Sequence, residues 1–240
     1  MNCREEQIRT ALLLGEGAMQ KLAAARVAVF GVGGVGGHLC EALARAGVGA
    51  IDLFDSDEVS LSNINRQIVA LHSTVGRPKT EVMRERILDV NPDCKVRTFN
   101  VFYLPENADE YPLDGYSYIA DAIDTVSAKI ELAVRAKRAG IPMIAAMGAG
   151  NRTDPARFAV TDLFSTSGCP LARAMRRELK ARGVTELKVV FSDEPVAERP
   201  QDAPEISVAT GQKSPIGSLP FVPSVVGLMM AREIVFDLIK

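Results

Sequence analysis

Short apolar runs alternate along the chain with longer segments whose apolar residues recur every three or four positions. Residues 26–30, RVAVF, read as a buried strand, and a glycine-rich turn at 31–36 follows without a break. Over 38–46, Leu39, Leu43 and Ala46 share one face while Glu41 and Arg45 take the other, which predicts a helix. A second apolar run, 50–54, ends at Asp55. Further on, Val82, Met83, Ile87 and Val90 predict a helix over 80–90 that Asn91-Pro92 stops. Strands at 94–99, 116–120 and 141–146 flank a helix over 125–139 closed by Gly140, with a loop or short helix at 105–111. Residues 4–25 predict two short helices broken at Gly15-Glu16-Gly17.

Strands and helices alternating at this spacing predict an α/β fold, a doubly wound, mostly parallel, Rossmann-like sheet. Past residue 150 the alternation weakens. Runs at 158–163 and 187–191 predict a strand pair around a helix over 170–182. The polar, proline-bearing stretch 192–218 predicts a mobile loop able to act as a lid, and 222–239 a mostly apolar helix packing back on the domain. The expectation is one nucleotide-binding domain over 1–240, with 151–240 as a small, less regular strand and helix extension.

A chain of 240 residues can bury one good core. Its net charge of −2 argues against a generally basic nucleic-acid binder, although a local basic patch remains compatible with it. No apolar run reaches spanning length and residues 1–7 lack a signal-peptide core, so a cytoplasmic location is expected. Cys3, Cys40, Cys94 and Cys169 form no C-x-x-C pair, which speaks against zinc of the paired-cysteine kind.

The chemistry begins at the glycine turn. Gly31, Gly33, Gly34 and Gly36 sit between strand and helix, the context in which glycines let a backbone approach phosphate at a helix N-terminus. Asp55 stands where an acid accepts hydrogen bonds from a ribose hydroxyl. Beyond it come Asp57, Asn63, Arg66, Gln67 and then Lys79. A dehydrogenase needs no such cationic set. A triphosphate attacked at its α-phosphorus does, because Arg and Lys stabilise charge on the phosphoryl oxygens and on departing pyrophosphate. These residues point to ATP-dependent adenylylation of a carboxylate.

The G-x-G-G-V-G turn, the D-x-D-x-V-x-x-S-N-x-N-R-Q run at 55–67, the G-x-P-K at 76–79 and Asp121-Ala122-Ile123-Asp124 together resemble the ubiquitin-activating-enzyme-like (ThiF, MoeB and HesA) superfamily. The missing C-x-x-C pairs, the compact length and a basic helix make the chain most similar to its tRNA threonylcarbamoyladenosine dehydratase branch. That resemblance implies ATP and Mg²⁺ as cofactors and, as substrate, the modified adenosine at position 37 of tRNA, whose adenylylated carboxylate then cyclises with loss of water. It implies that Asp124 serves Mg²⁺ and catalysis, and that Arg9 reaches into the partner's nucleotide site in a homodimer. A carboxylate at a strand end also suits a hard divalent ion bridging phosphates. The superfamily's Asn and Arg after that acid are Thr125 and Lys129 here.

Three other readings stay open: an adenylyltransferase for the C-terminal glycine of a ubiquitin-like sulfur carrier, with a sulfur-transfer partner protein; a nicotinamide-binding oxidoreductase; and a non-catalytic ATP sensor. Asp121 reads equally as a helix-capping acid or a ligand. Cys169, at the start of the helix over 170–182, has a thiol whose pKa the helix field would lower, against the plainer reading of a semi-buried cysteine. On that helix Arg173, Arg176, Arg177 and Lys180 recur at i, i+3, i+4 and i+7, a cationic stripe that is either a solvated face or a contact for tRNA phosphates. His38 and His72 read as structural.

Overall fold

The computed structural model describes residues 5–204 and 216–240. Seven strands make one sheet: β1 (Arg26–Phe30), β2 (Ala50–Phe54), β3 (Lys95–Phe99), β4 (Tyr118–Asp121), β5 (Met143–Ala146), β6 (Phe158–Asp162) and β7 (Lys188–Ser192), in the order β3-β2-β1-β4-β5-β7-β6. Among the described residues these strands pair in parallel except β6 with β7, so the predicted strand pair forms as an antiparallel edge of the same sheet.

Period-two alternation explains why both faces are covered. Val27, Val29, Ile51 and Leu53 point to one side, where they pack with residues of α2 (Glu16–Ala24), α3 (Gly36–Ala46), α4 (Lys79–Val90) and α7 (Phe221–Ile239). Ala28, Phe30, Ile119 and Ala145 point to the other, against α5 (Val126–Ala139) and α6 (Pro170–Ala181). There Phe30, Phe54 and Phe99 form a stacked row, with Tyr103 edge-on to Phe30 and Tyr111 edge-on to Phe54 and Phe99.

Boundaries shift from expectation by a few residues. α3 starts at Gly36, because two glycines enter its first turn, and β4 starts at Tyr118. The N-terminal helices α1 (Ile8–Leu14) and α2 break at Gly15 alone, whose φ of 84° lies in the left-handed region. α7 crosses α3 closely at Gly227, where a Cβ would lie 2.3 Å from Val35 O. Of the predicted loop at 192–218, residues 205–215 lie outside the described residues. Its flanks meet at Asn151, whose carbonyl accepts the Ala197 N–H at 2.9 Å and whose side-chain oxygen accepts the Gly217 N–H at 2.7 Å. Among the described residues no helix is long and apolar enough to cross a membrane.

Candidate active site

In the strand order the chain runs outward from β1 in one direction and from β4 in the other, and a parallel sheet offers its ligand crevice at such a reversal, beyond the carboxyl ends of the strands. The glycine turn leaves β1 at that point. Gly31 donates its N–H to Phe54 O at 2.8 Å, and Ala122 donates to Phe30 O at 2.8 Å, so the turn is seated between the ends of β2 and β4. Gly31 has φ 89°, and a Cβ there would lie 2.7 Å from Ala122 O. At Gly36 a Cβ would lie 1.8 Å from Gly31 O. Only glycine lets α3 start this close to the turn.

Asp55, one residue past β2, binds the turn through one carboxylate oxygen, which accepts the Val32 N–H at 2.6 Å. Its other oxygen accepts the Asp57 N–H at 2.8 Å. Each oxygen keeps a lone pair for a ribose hydroxyl. Burial pushes the Asp55 carboxyl above its ordinary value, against the pull of the Val32 hydrogen bond and of Lys79.

Asp57 lies beside Lys79. Lys79 opens α4, and its ammonium sits 2.6 Å from Asp57 Oδ2 with only 6% of the side chain exposed. The Lys79 N–H donates to Asp57 O at 3.0 Å and that of Val59 to Arg77 O at 2.9 Å, pairings that bring residues far apart in sequence together. Asp57 is thus the resting partner of Lys79.

The turn after Ser60 gathers the rest. Asn63 Oδ1 accepts the Ser60 N–H at 3.1 Å, and the Asn63 carbonyl accepts the N–H groups of Arg66 and Gln67. Gln67 is buried against Gly33, and its side-chain oxygen has no hydrogen-bond partner, an orphan acceptor at the crevice. The stem of Arg66 lies over Gly34, while its guanidinium donates to Ser62 O and Asn65 Oδ1, both at 2.9 Å. Pro223 of α7 packs on Gly34 beside it, a contact the apolar pattern of that helix gave no sign of.

Asp124 stands exposed beyond the end of β4, two residues after the Ala122 that touches Gly31. Among the described residues its only side-chain hydrogen bond comes from Thr125 Oγ1 at 3.5 Å. Asp121 is neither a simple cap nor exposed. It is fully buried, 2.8 Å from the equally buried Lys129 ammonium, and its Oδ1 accepts the Ile123 N–H at 3.1 Å. The signal for Lys129 was in the sequence: with Leu132, Ala133 and Ala136 it shares the buried face of α5, where a lysine needs a partner.

Other candidates fall elsewhere. Arg9 is exposed on α1, close in sequence to Gln7, which touches Gly47 at the far end of α3 from the glycine turn. Eleven residues of helix span about 16 Å, so this arginine is not gathered into its own chain's crevice. On α6, Arg173, Arg177 and Lys180 are exposed, but Arg176 is turned inward, donating to Thr166 O at 2.9 Å and to the Thr166 hydroxyl. The stripe is therefore three residues wide, one of them, Arg177, paired with Glu178. Cys169 is 2% exposed and packed in the core at the start of α6, shut off from solvent as a nucleophile would not be. Burial pushes the Cys94 thiol up to about 11.

The chain matches the ThiF family over residues 5–239. It is 42% identical over 238 residues to the tRNA threonylcarbamoyladenosine dehydratase of Bacillus subtilis (strain 168), covering 97% of this chain and 94% of that protein. Among solved structures it resembles the E. coli tRNA N6-threonylcarbamoyladenosine dehydratase in complex with AMP (TM-score 0.87, 39% identity, 98% of this chain and 94% of that one). The ATP complex of the E. coli enzyme gives a TM-score of 0.86 at 37% identity over the same shares.

Proposed function

Because the chain belongs to the ThiF family, we propose that it is an ATP-dependent enzyme that adenylylates the carboxylate of threonylcarbamoyladenosine in tRNA and then closes a ring with net loss of water. A carboxylate oxygen attacks the α-phosphorus and the bond to the β-phosphate breaks, releasing pyrophosphate. An atom of the same side chain then attacks the activated acyl carbon, loses its proton, and expels AMP, which carries away the carboxylate oxygen. Tethering makes that second step effectively unimolecular. The observation carrying this reading is the near full-length likeness to dehydratases of this kind, joined to a crevice in which Gly31–Gly36, Asp55, Arg66, Gln67 and Lys79 converge.

In this reading Asp55 holds the ribose, and Gly33, Gly34, Asn63 and Gln67 line the phosphates. Lys79 and Arg66 exchange their internal partners, Asp57 and the Ser62 carbonyl, for phosphate oxygens. Asp124 would hold Mg²⁺. Among the described residues no group of three or more acidic, histidine or cysteine side chains could cage a metal, and a lone exposed carboxylate fits an ion that takes its other ligands from phosphates and water. Bound there, Mg²⁺ would offset charge developing on the pyrophosphate. Arg173, Arg177 and Lys180 would meet tRNA phosphates, and a cytoplasmic setting follows from that substrate.

We also propose a homodimer in which Arg9 serves the neighbouring site. Support comes from the face beside it, where Leu12 and Leu13 are more than four-fifths exposed.

Incubating the protein with ATP, Mg²⁺ and tRNA bearing the threonylcarbamoyl group should remove one water from the nucleoside, read by mass, and Asp124→Ala should abolish it. Pyrophosphate release that needs a ubiquitin-like carrier and ignores the tRNA would reverse the assignment.

A further inference from the structure

We infer that Lys129, to which the proposed function gives no part, is the positioning residue that sets where Asp124 stands; the inference rests on the metal role proposed above for Asp124. Lys129 is wholly buried in the first turns of α5. Its ammonium lies 2.8 Å from Asp121 Oδ2, 2.9 Å from Ala146 O and 3.2 Å from Ile123 O. The two carbonyls accept hydrogen bonds from the ammonium and Asp121 pairs with it by charge, and with no exposed surface the ammonium is shut away from any phosphate. The side chain is a strut, and what it braces is specific. Asp121 ends β4 and Ala146 ends β5, while Ile123 is the residue immediately before Asp124. The ion pair grips Ile123 from both sides: Asp121 Oδ1 accepts its N–H at 3.1 Å and Lys129 takes its carbonyl.

Among the described residues Asp124 has only a 3.5 Å contact with Thr125 to orient its own side chain. Its place in the crevice is therefore fixed by backbone, and that backbone is fixed by Lys129 and Asp121. Burying a charge pair is a costly way merely to fill space, since apolar side chains of similar volume often serve stability as well or better. A pair whose free valences are spent on the peptide before a functional carboxylate is explained by holding that carboxylate.

The test compares Lys129→Met and, because that change strands the buried Asp121 charge, the double variant Asp121→Asn/Lys129→Met, in which Asn keeps an acceptor for the Ile123 N–H. Mn²⁺ replaces Mg²⁺, and its affinity for the protein–ATP complex is read by electron paramagnetic resonance of the free ion. In the double variant, ATP affinity without metal and the melting temperature should stay near wild type. The Mn²⁺ dissociation constant should rise roughly 10–100-fold, the range seen when support behind a metal ligand is lost. In an Asp124→Ala background the same changes should have no further effect on Mn²⁺, because the residue they position is gone. Mn²⁺ affinity within twofold of wild type, or parallel loss of ATP and Mn²⁺ affinity, overturns the inference. A wild-type protein that leaves modified tRNA untouched while the Mn²⁺ results hold sinks the proposed reaction and keeps the strut.

Discussion

Asp55 holds the glycine turn in place and, in the proposed function, also binds the ribose. It ties the Val32 and Asp57 amides together in a place where burial already raises its carboxyl above the ordinary value. Asp55→Asn keeps the size, one acceptor oxygen, and the hydrogen bond to one amide, and it removes the buried charge. The variant should melt within a few degrees of wild type, while ATP affinity measured by calorimetry should fall about tenfold, the scale of one charge-assisted hydrogen bond. Unchanged affinity would remove Asp55 from the nucleotide. Its place beside the glycine turn was readable from its position at the end of the second strand. That Asp57 neutralises Lys79 was not, because the pairing depends on residues 57 and 79 meeting in space.

Among the elements, α7 is tied to the sheet at its far end by polar contacts. Burial by itself would raise the Asp237 carboxyl, yet hydrogen bonds from Lys188 at 2.5 Å, Lys240 at 2.6 Å and Tyr118 at 2.8 Å bring it from 3.8 down to about 2. A depressed acid stabilises the folded state fully above its unfolded pKa and loses that contribution as pH falls through the folded one. The loss belongs between about pH 4 and pH 2. Asp237→Asn should flatten the dependence of the urea midpoint on pH across that window; a profile parallel to wild type would mean that other carboxylates govern acid unfolding. The strand and helix rhythm made nearly every element legible, since each is short and either alternates or keeps one apolar face. What stayed hidden were contacts between elements: Gly227 letting α7 approach Val35, Pro223 on Gly34, and Lys129 crossing from α5 to two strand ends. Such contacts follow from how helices lie on a sheet, which local periodicity does not encode.

For the whole molecule, the open question is whether one chain makes a complete site. Ile8, Leu12 and Leu13 line an exposed apolar face on α1, and Arg9 stands among them, far from its own glycine turn. Replacing Leu12 and Leu13 with Glu should give monomers by sedimentation that bind ATP but do not dehydrate tRNA. Mixing inactive Arg9→Ala with inactive Asp124→Ala protein should restore part of the activity, as exchange creates one intact site per mixed pair. No recovery on mixing would confine every required group to a single chain.

The row of rings beside β1–β3 has an optical corollary. The chain has no tryptophan, and of its four tyrosines Tyr103 and Tyr111 lie edge-on to that row, while Tyr116 donates to Asp52 and Tyr118 to Asp237 of α7. Ultraviolet emission from the native chain is therefore tyrosine emission divided between two rings beside the nucleotide crevice, one at Asp52 and one near the end of α7, with none from α6. A single tryptophan placed on either of those helices would shine alone.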